Sequence, residues 1–297
     1  MFEGFEKKRI EVEGVGINLR QGGSGPALLL LHGYPQTHVE WHKVAPRLAE
    51  DFTVVCPDLR GYGDSDKPPS TDADFSTYCK RTTANDLIAV MRGLGFDRFH
   101  LVGHDRGVRV GLRMALDHED SIKSLTNLDV VPSQDAFEAM DSSLAFSWFH
   151  WHLMRQPAPF PETLIGANPK FYLDFLLDSW TNIEGAITEE AYAEYLRCFS
   201  NPDTIRATCA DYRGVSIDLE HDAIDRGRQL ACPVLVLWGG NMPKRPGWQT
   251  GANLDMMSVW KRRASSVRGK GMNCGHFIPE ERPAELVSEL LTFLREP

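Results

Sequence analysis

The sequence lacks the features that mark membrane and nucleic-acid-binding proteins. Its longest apolar run near the start, Ala27–Leu31, is far shorter than the roughly 20 residues of a membrane helix. Basic residues are in the minority, with 32 Lys and Arg against 41 Asp and Glu and a net charge of −9. Because nucleic-acid binding relies on clustered Lys and Arg, we expect neither a membrane nor a nucleic acid as partner.

The sequence also lacks a cysteine framework and a leader. Its 6 cysteines are scattered, with no CxxC pair, whereas a disulfide framework is denser and is typical of shorter secreted chains. The opening residues 1–6 are acidic and carry no basic segment followed by an apolar one. We therefore expect buried, reduced thiols, no signal peptide and a cytoplasmic location.

The sequence has the composition of a globular protein and the alternation of strands and helices that is typical of an α/β fold. Apolar residues make up 42% of 297 residues, which is enough for a sizeable core. Short β-rich runs alternate with helical spacing, and this pattern predicts a mostly parallel central sheet with helices on both faces. The predicted strands are 9–12, 16–19, 27–31, 52–56, 99–102, 124–128 and 233–238, and the predicted helices are 39–48, 82–94 and 284–294.

One long segment interrupts this alternation. From about Pro132 to Arg228 the sequence has helical periodicity and many aromatic residues, and no convincing strand. A helical insertion between two strands of a sheet is typical of a cap over the carboxyl edge of that sheet. We predict a core made of residues 1–132 and 229–297 and a helical cap of residues 133–228.

The sharpest motif is Gly103-His104-Asp105-Arg106-Gly107, between a predicted strand and a helix. It fits the nucleophile-elbow pattern, with Asp105 in the place that usually holds serine. The flanking glycines avoid side-chain clashes at a strained turn. By itself the motif also fits a plain surface turn. The nucleophile assignment therefore depends on finding an acid and a histidine elsewhere in the sequence.

Two partners follow in the order of a hydrolase triad, nucleophile, acid and histidine. His276 lies in a glycine-preceded loop before the last helix, where a surface histidine is the alternative. The segment after the predicted strand 234–238, residues 239–243, contains no carboxylate. Asp129, at the end of the strand before the cap, is therefore the predicted acid, and a turn-capping role is its alternative.

A carboxylate nucleophile indicates a particular chemistry. It is ionised at neutral pH and needs no base to displace a leaving group at saturated carbon. An alkyl ester then forms on Asp105, and His276 activates the water that hydrolyses it while Asp129 orients the imidazole. The backbone N–H groups of Tyr34, in His32-Gly33-Tyr34-Pro35, and of Arg106 would form the oxyanion hole, unless the first motif is only a tight turn.

Two arginines indicate an anionic substrate. Arg106 and Arg109 lie three residues apart at the start of the helix after Asp105, where cations oppose the helix dipole. A substrate carboxylate bound by both guanidinium groups would offset this cost. A structural ion pair with a core acid is the alternative for each arginine.

These residues together resemble the α/β-hydrolases with an Asp nucleophile. The motifs at 32–36, 58–65, 103–107 and 275–277 carry the likeness. Within that group, Arg106, Arg109 and the pair His150-Trp151 resemble fluoroacetate (haloacetate) dehalogenases, while typical epoxide hydrolases have Trp where Arg106 stands. The resemblance implies that both arginines bind the haloacid carboxylate.

The resemblance also implies a halide site in the cap. Its donors would be His150, the Trp151 indole and the Tyr212 hydroxyl. Aromatic core packing is the alternative for Trp151 and Tyr212. A metal site at His150 and His152 is disfavoured, because side chains two residues apart on a helix diverge.

We therefore predict an α/β-hydrolase that dehalogenates short 2-haloacids with water, giving a 2-hydroxy acid and halide, without cofactor or metal. An epoxide hydrolase is the alternative, which needs two cap tyrosines from Tyr172, Tyr192, Tyr195 and Tyr212. A binding protein of the same fold without turnover is a further alternative. The sequence leaves open whether the chain forms a homodimer.

Overall fold

The most apolar strands of the chain lie at the centre of its sheet. The computed structural model describes residues 1–70, 74–241 and 254–295. The strands are β1 (Glu6–Val12), β2 (Val15–Gly22), β3 (Ala27–Leu31), β4 (Thr53–Pro57), β5 (Phe99–His104), β6 (Ile122–Leu128), β7 (Val234–Gly239) and β8 (Val267–Met272). They form one sheet in the order β1-β2-β4-β3-β5-β6-β7-β8. The pairs β1–β2 and β2–β4 are antiparallel and all others are parallel, which confirms the predicted sheet.

Helices surround this sheet, as expected of parallel strands buried on both faces. The first group is α1 (Ala45–Leu48), α2 (Lys80–Gly93), α3 (Arg106–Asp117), α4 (Ser133–Glu138), α5 (Ser142–Ser147), α6 (Phe149–Met154) and α7 (Phe160–Ala167). The second is α8 (Pro169–Trp180), α9 (Glu189–Phe199), α10 (Pro202–Arg213), α11 (Val215–Ile224), α12 (Met256–Arg263), α13 (Ile278–Glu281) and α14 (Pro283–Leu294). Short 3₁₀ helices cover His38–Trp41, Ser76–Tyr78 and Glu119–Ser121.

The segment predicted as a cap is helical. Residues 133–228, all of them described, contain α4 to α11 and no strand. Three contacts tie these helices to the core: the Trp180 carbonyl accepts the His276 N–H, Arg106 of α3 pairs with Asp211, and the Tyr195 hydroxyl donates to Glu280 of α13. The segment therefore packs against loops that carry predicted site residues, and its treatment as a separate domain stays a prediction.

One predicted helix was wrong, and one strand was not predicted. The predicted helix 39–48 is broken into the 3₁₀ helix His38–Trp41 and the single turn α1. Pro46 has no N–H to continue a helix, so it starts α1 in the first-turn position. Strand β8 was not predicted because it is an edge strand with little apolar signal, with exposed residues and two glycines.

The described residues contain no helix long and apolar enough to cross a membrane. All 6 cysteine side chains are buried and unpaired. Their burial agrees with the prediction.

Candidate active site

Asp105 lies at a strained turn between β5 and α3. Its backbone has φ 45° and ψ −112°, a conformation that residues with a side chain rarely adopt. A Cβ at Gly103 would lie 2.7 Å from the Gly107 backbone, and one at Gly107 would lie 2.4 Å from the Leu31 carbonyl oxygen. Only glycine fits at both positions, so the motif forms a tight elbow that presents Asp105.

The Asp105 carboxylate is ionised and held by two donors. Its Oδ1 accepts the Tyr34 N–H at 3.0 Å, and its Oδ2 lies 3.4 Å from Nη1 of Arg109. Burial alone would raise the pKa of Asp105, but the charges of Arg109, His276 and His104 hold it well below its usual range. The backbone N–H of Arg106, the first residue of α3, also has no partner within its helix.

His276 and Asp129 form a hydrogen-bonded pair beside this carboxylate. Nδ1 of His276 lies 2.6 Å from Oδ2 of Asp129, and Oδ1 of Asp129 accepts the Gly239 N–H at 2.8 Å. Asp129 follows β6 with a left-handed φ of 64°, which turns the chain away from the sheet. The structure thus brings the predicted acid, which follows β6, to the predicted base, which follows β8.

One cavity of about 70 Å³ connects these groups. Because a buried water needs about 10–15 Å³, this cavity can hold several waters or one small ligand. Its described wall consists of Asp105, Arg109, Asp129, Val130, Val131, Trp148, His150, Trp151, Trp180, Trp238, Gly239, Leu254, Met256 and His276.

Arg109 is the guanidinium in this wall. Its side chain is buried, and its guanidinium carbon lies 4.7 Å from the centre of the Trp151 ring. Its Nε is buried without a hydrogen-bond partner. Burial, only partly offset by Asp105, lowers the pKa of Arg109. An unsatisfied buried cationic donor is costly, and an anion in the cavity would satisfy it.

Arg106 is placed differently from what the sequence led us to expect. It does not line the cavity, because its Nε donates to Oδ2 of Asp211 at 2.8 Å and its Nη2 to the Asp211 carbonyl at 2.9 Å. Its side chain thus makes the ion pair that sequence analysis held as the alternative. Only Nη1 of Arg106 is left without a partner.

Asp211 was missed by the sequence analysis although it precedes Tyr212. Its carboxylate also accepts from the Tyr62 hydroxyl at 2.8 Å and pairs with Lys80. Burial would raise the pKa of Asp211, but Arg106 and Lys80 lower it to about 2. The local sequence around Asp211 does not predict these partners, because they are distant along the chain.

The three predicted halide-binding residues lie together. The Tyr212 ring centre is 5.7 Å from that of His150 and 5.9 Å from that of Trp151. His150 and Trp151 line the cavity, while Tyr212 packs behind them, 4.3 Å from the Arg106 guanidinium. Burial lowers the pKa of His150 to about 3 despite the nearby Asp105 charge, so its imidazole is neutral and offers one N–H donor.

The described residues give no support to a metal at His150 and His152. His150 is buried whereas His152 is exposed on the same helix. The two side chains therefore do not converge, which agrees with the expectation from their spacing.

Comparison with known proteins shows the family. The model of the α/β-hydrolase fold matches residues 26–254. A fluoroacetate dehalogenase of Burkholderia sp. is 44% identical over 299 aligned residues that cover 100% of this chain and 96% of that protein. A soluble epoxide hydrolase of Corynebacterium sp. (strain C12) is 34% identical and covers 95% of this chain and 94% of its own. The crystal structure of a protein assigned to the α/β-hydrolases from Nostoc sp. PCC 7120 superimposes with a TM-score of 0.95 at 46% identity over 100% of both chains.

The chain therefore belongs to the α/β-hydrolase family, and it is a hydrolase. Its relatives include a dehalogenase and epoxide hydrolases. The choice between dehalogenation and epoxide hydrolysis therefore depends on the residues of the site.

Proposed function

We propose that this hydrolase cleaves the carbon–halogen bond of short 2-haloacids such as haloacetate. The main observation is that the Arg109 guanidinium and the Asp105 carboxylate share the wall of one small cavity. A cation beside the nucleophile suits a substrate that carries its own carboxylate next to the reacting carbon. The 44% identical fluoroacetate dehalogenase supports this assignment.

Substrate binding relies on the unsatisfied guanidinium nitrogens. Arg109 binds the haloacid carboxylate from the cavity wall, and Nη1 of Arg106, which is buried without a partner but lies outside the described wall, is the candidate second donor. Charge-assisted hydrogen bonds are stronger than hydrogen bonds between neutral groups, and they orient the substrate as well as neutralise its charge. Because Nη1 of Arg109 lies 3.4 Å from Oδ2 of Asp105, a carboxylate bound there would bring its α-carbon next to the nucleophile.

Dehalogenation begins with Asp105 as nucleophile. One carboxylate oxygen bonds to the α-carbon, the carbon–halogen bond breaks, and the halide leaves with the bonding electron pair. The neutral His150 and the Trp151 indole, both in the cavity wall, donate hydrogen bonds to the departing halide. Tyr212, the predicted third donor, packs against both rings but is not in the described cavity wall, so the halide contacts proposed here rest on His150 and Trp151.

Hydrolysis of the ester returns the enzyme to its starting state. His276, held by Asp129, removes a proton from a water that attacks the Asp105 ester carbonyl. The N–H groups of Tyr34 and Arg106 stabilise the oxyanion that forms. The products are a 2-hydroxy acid and a regenerated Asp105, with no need of a cofactor or metal.

Epoxide hydrolysis is the second candidate because epoxide hydrolases are close relatives. It would need cap tyrosines that protonate the ring oxygen. The Tyr192 hydroxyl donates to Asp174 at 2.5 Å, the Tyr195 hydroxyl donates to Glu280 at 3.0 Å, and neither Tyr172 nor Tyr212 is in the described cavity wall. The site therefore favours the haloacid.

A halide-release panel tests the proposal. Purified enzyme is given fluoroacetate, chloroacetate, 2-chloropropionate and a styrene-type epoxide, with Asp105→Asn as the inactive control. We expect halide release from at least one haloacetate by the parent and none by the control. Turnover of the epoxide without halide release from any haloacid would refute the proposal in favour of its alternative.

A further inference from the structure

Two buried ionisable side chains beside the site, Glu40 and His104, have no role in the steps above. His104 immediately precedes Asp105 at the end of β5, and Glu40 lies in the 3₁₀ helix His38–Trp41. Both are 0% exposed. Burying ionised groups is costly unless they are paired and hydrogen-bonded, so their contacts indicate what they do.

The hydrogen bonds define the charge state of the pair. Nε2 of His104 lies 2.9 Å from the His276 carbonyl oxygen, which can only accept, so this nitrogen carries a proton. Nδ1 of His104 lies 3.2 Å from Oε2 of Glu40, and the same oxygen accepts the Gly33 N–H at 3.0 Å. A carboxylate Oε2 would accept from both Gly33 and Nδ1 of His104, and this arrangement makes His104 an imidazolium.

The electrostatics of the surroundings agree with this assignment. Burial by itself would lower the pKa of His104, but Glu40, Asp105 and Asp129 raise it to about 9. Glu280 of α13 also faces this pair, as does the His276 ring, whose centre is 4.5 Å from that of His104.

The pair joins the two loops that carry the catalytic groups. On one side Glu40 binds the N–H of Gly33, which directly precedes the oxyanion donor Tyr34. On the other side His104 binds the backbone carbonyl of His276. A Cβ at Gly33 would lie 2.6 Å from Cβ of Asp105 and 3.0 Å from Nδ1 of His104, so the first loop runs in close contact with the nucleophile's strand.

We propose that Glu40 and His104 are positioning residues that hold the Tyr34 N–H and His276 in register with Asp105, and that hydrolysis of the ester depends on them more than its formation does. This inference rests on the proposed function. It assigns to the pair a role mainly in the second step, through the groups it orients and without contact to the substrate.

The two steps differ in what they require of these loops. Ester formation needs an ionised Asp105 and an oriented substrate, and it uses no base. Ester hydrolysis needs His276 and the oxyanion donor in place at the same time. Loss of one oxyanion donor costs about 10²–10³ in rate, and a displacement of about 1 Å can cost about 10².

Glu40→Gln removes the charge and keeps the shape. The amide oxygen can still accept from two N–H groups, so the variant removes the negative charge that stabilises the His104 imidazolium. A neutral His104 carries only one ring proton, so it keeps its hydrogen bond either to residue 40 or to the His276 carbonyl, but not both. The matched control is Asp225→Asn, which removes the charge of another buried acid, one that pairs with Arg113 and Arg228 and contacts neither catalytic loop.

Single-turnover kinetics with excess enzyme test the proposal. Rapid quenching after mixing with the best substrate of the halide-release panel gives the rates of ester formation and hydrolysis separately, by mass of the intact chain. We expect Glu40→Gln to slow hydrolysis at least about tenfold and ester formation less than about threefold, with accumulation of the ester. The control should change neither rate. Unchanged kinetics of Glu40→Gln, or equal loss in both steps with a lowered melting temperature, would overturn the positioning role.

A second measurement needs no substrate. In protein labelled with ¹⁵N-histidine, nuclear magnetic resonance should show both ring nitrogens of His104 protonated at pH 7, and Glu40→Gln should leave only one protonated. Neutral His104 in the parent at pH 7 would overturn the inference. Doubly protonated His104 in an enzyme that turns over no haloacid and no epoxide would support the pair and refute the proposed function, so the two failures are distinguishable.

Discussion

Replacement of Arg109 by leucine tests how the substrate is recognised. The side chain is 5% exposed, its Nη1 lies 3.4 Å from Oδ2 of Asp105, and its Nε has no partner. A hydrogen bond to a charged group contributes about 1.5–3 kcal/mol. At about 1.4 kcal/mol per factor of ten, kcat/KM for chloroacetate should fall about 10- to 150-fold. Asp105 keeps the Tyr34 N–H and the charges of His104 and His276, so the nucleophile stays ionised.

The assay compares two substrates that differ only in charge. Halide release from chloroacetate and from chloroacetamide is measured for the parent, Arg109→Leu and Arg109→Lys. We expect the leucine variant to lose activity on the acid and to retain it on the neutral amide, with the lysine variant intermediate on the acid. An equal loss on both substrates, or none on chloroacetate, would refute the role of Arg109 as the carboxylate-binding group.

Arg106 is a poor choice for the same experiment. Its guanidinium pairs with Asp211, which also binds Lys80 and Tyr62. Removing one partner of a buried ion pair costs about 3–5 kcal/mol of stability. Lost activity in Arg106→Leu would therefore mix substrate binding with unfolding.

Three further variants test other parts of the account. Trp151→Phe should reduce fluoride release more than chloride release, because fluoride is the poorer leaving group and depends more on hydrogen bonds; equal loss in halide assays would make Trp151 a packing residue. His276→Asn should form the Asp105 ester and stop there, which a mass increase of the intact protein would detect, and absence of that species would contradict a base needed only in the second step. Burial and the Glu40 charge raise the pKa of Glu280 to about 8, whereas an unfolded glutamate has a pKa of about 4.3. Between these two pH values the folded state keeps a proton that the unfolded state releases. The free energy of unfolding therefore falls as the pH rises through this interval. Glu280→Gln should flatten that part of the melting-temperature profile, and an unchanged slope would contradict the raised pKa.

Much of the fold could be predicted because its central strands have a clear sequence signal. Strands such as β3 are continuous apolar runs buried on both faces. Strand β8 lacks that signal, since its residues 267–272 include Arg, Lys and two glycines and only Met272 is buried. Its place depends on pairing with β7, where a Cβ at Gly269 would lie 2.1 Å from the Val236 carbonyl oxygen. Such a fit between neighbouring strands cannot be read from one strand alone.

The candidate site divides in the same way. Asp105 and His276 lie in short motifs whose local backbone is set by adjacent glycines, so the local sequence was enough to identify both residues. The partner of Arg106 could not be predicted, because Asp211 lies 105 residues further along the chain. Likewise nothing near Glu40 indicates that it meets His104, which is 64 residues away. Long-range pairs of charges become visible only when the fold brings them together.

A single turnover in heavy-oxygen water tests the central claim, that Asp105 is the nucleophile. Enzyme in excess over chloroacetate is allowed one cycle in H₂¹⁸O, and both the hydroxy-acid product and the peptide that contains Asp105 are weighed. Water attacks the ester carbonyl in this account, so the label should enter the Asp105 carboxylate and the first-turnover product should be unlabelled. Heavy oxygen in the product with none in the Asp105 peptide would mean direct attack of water on the substrate, and it would contradict the mechanism.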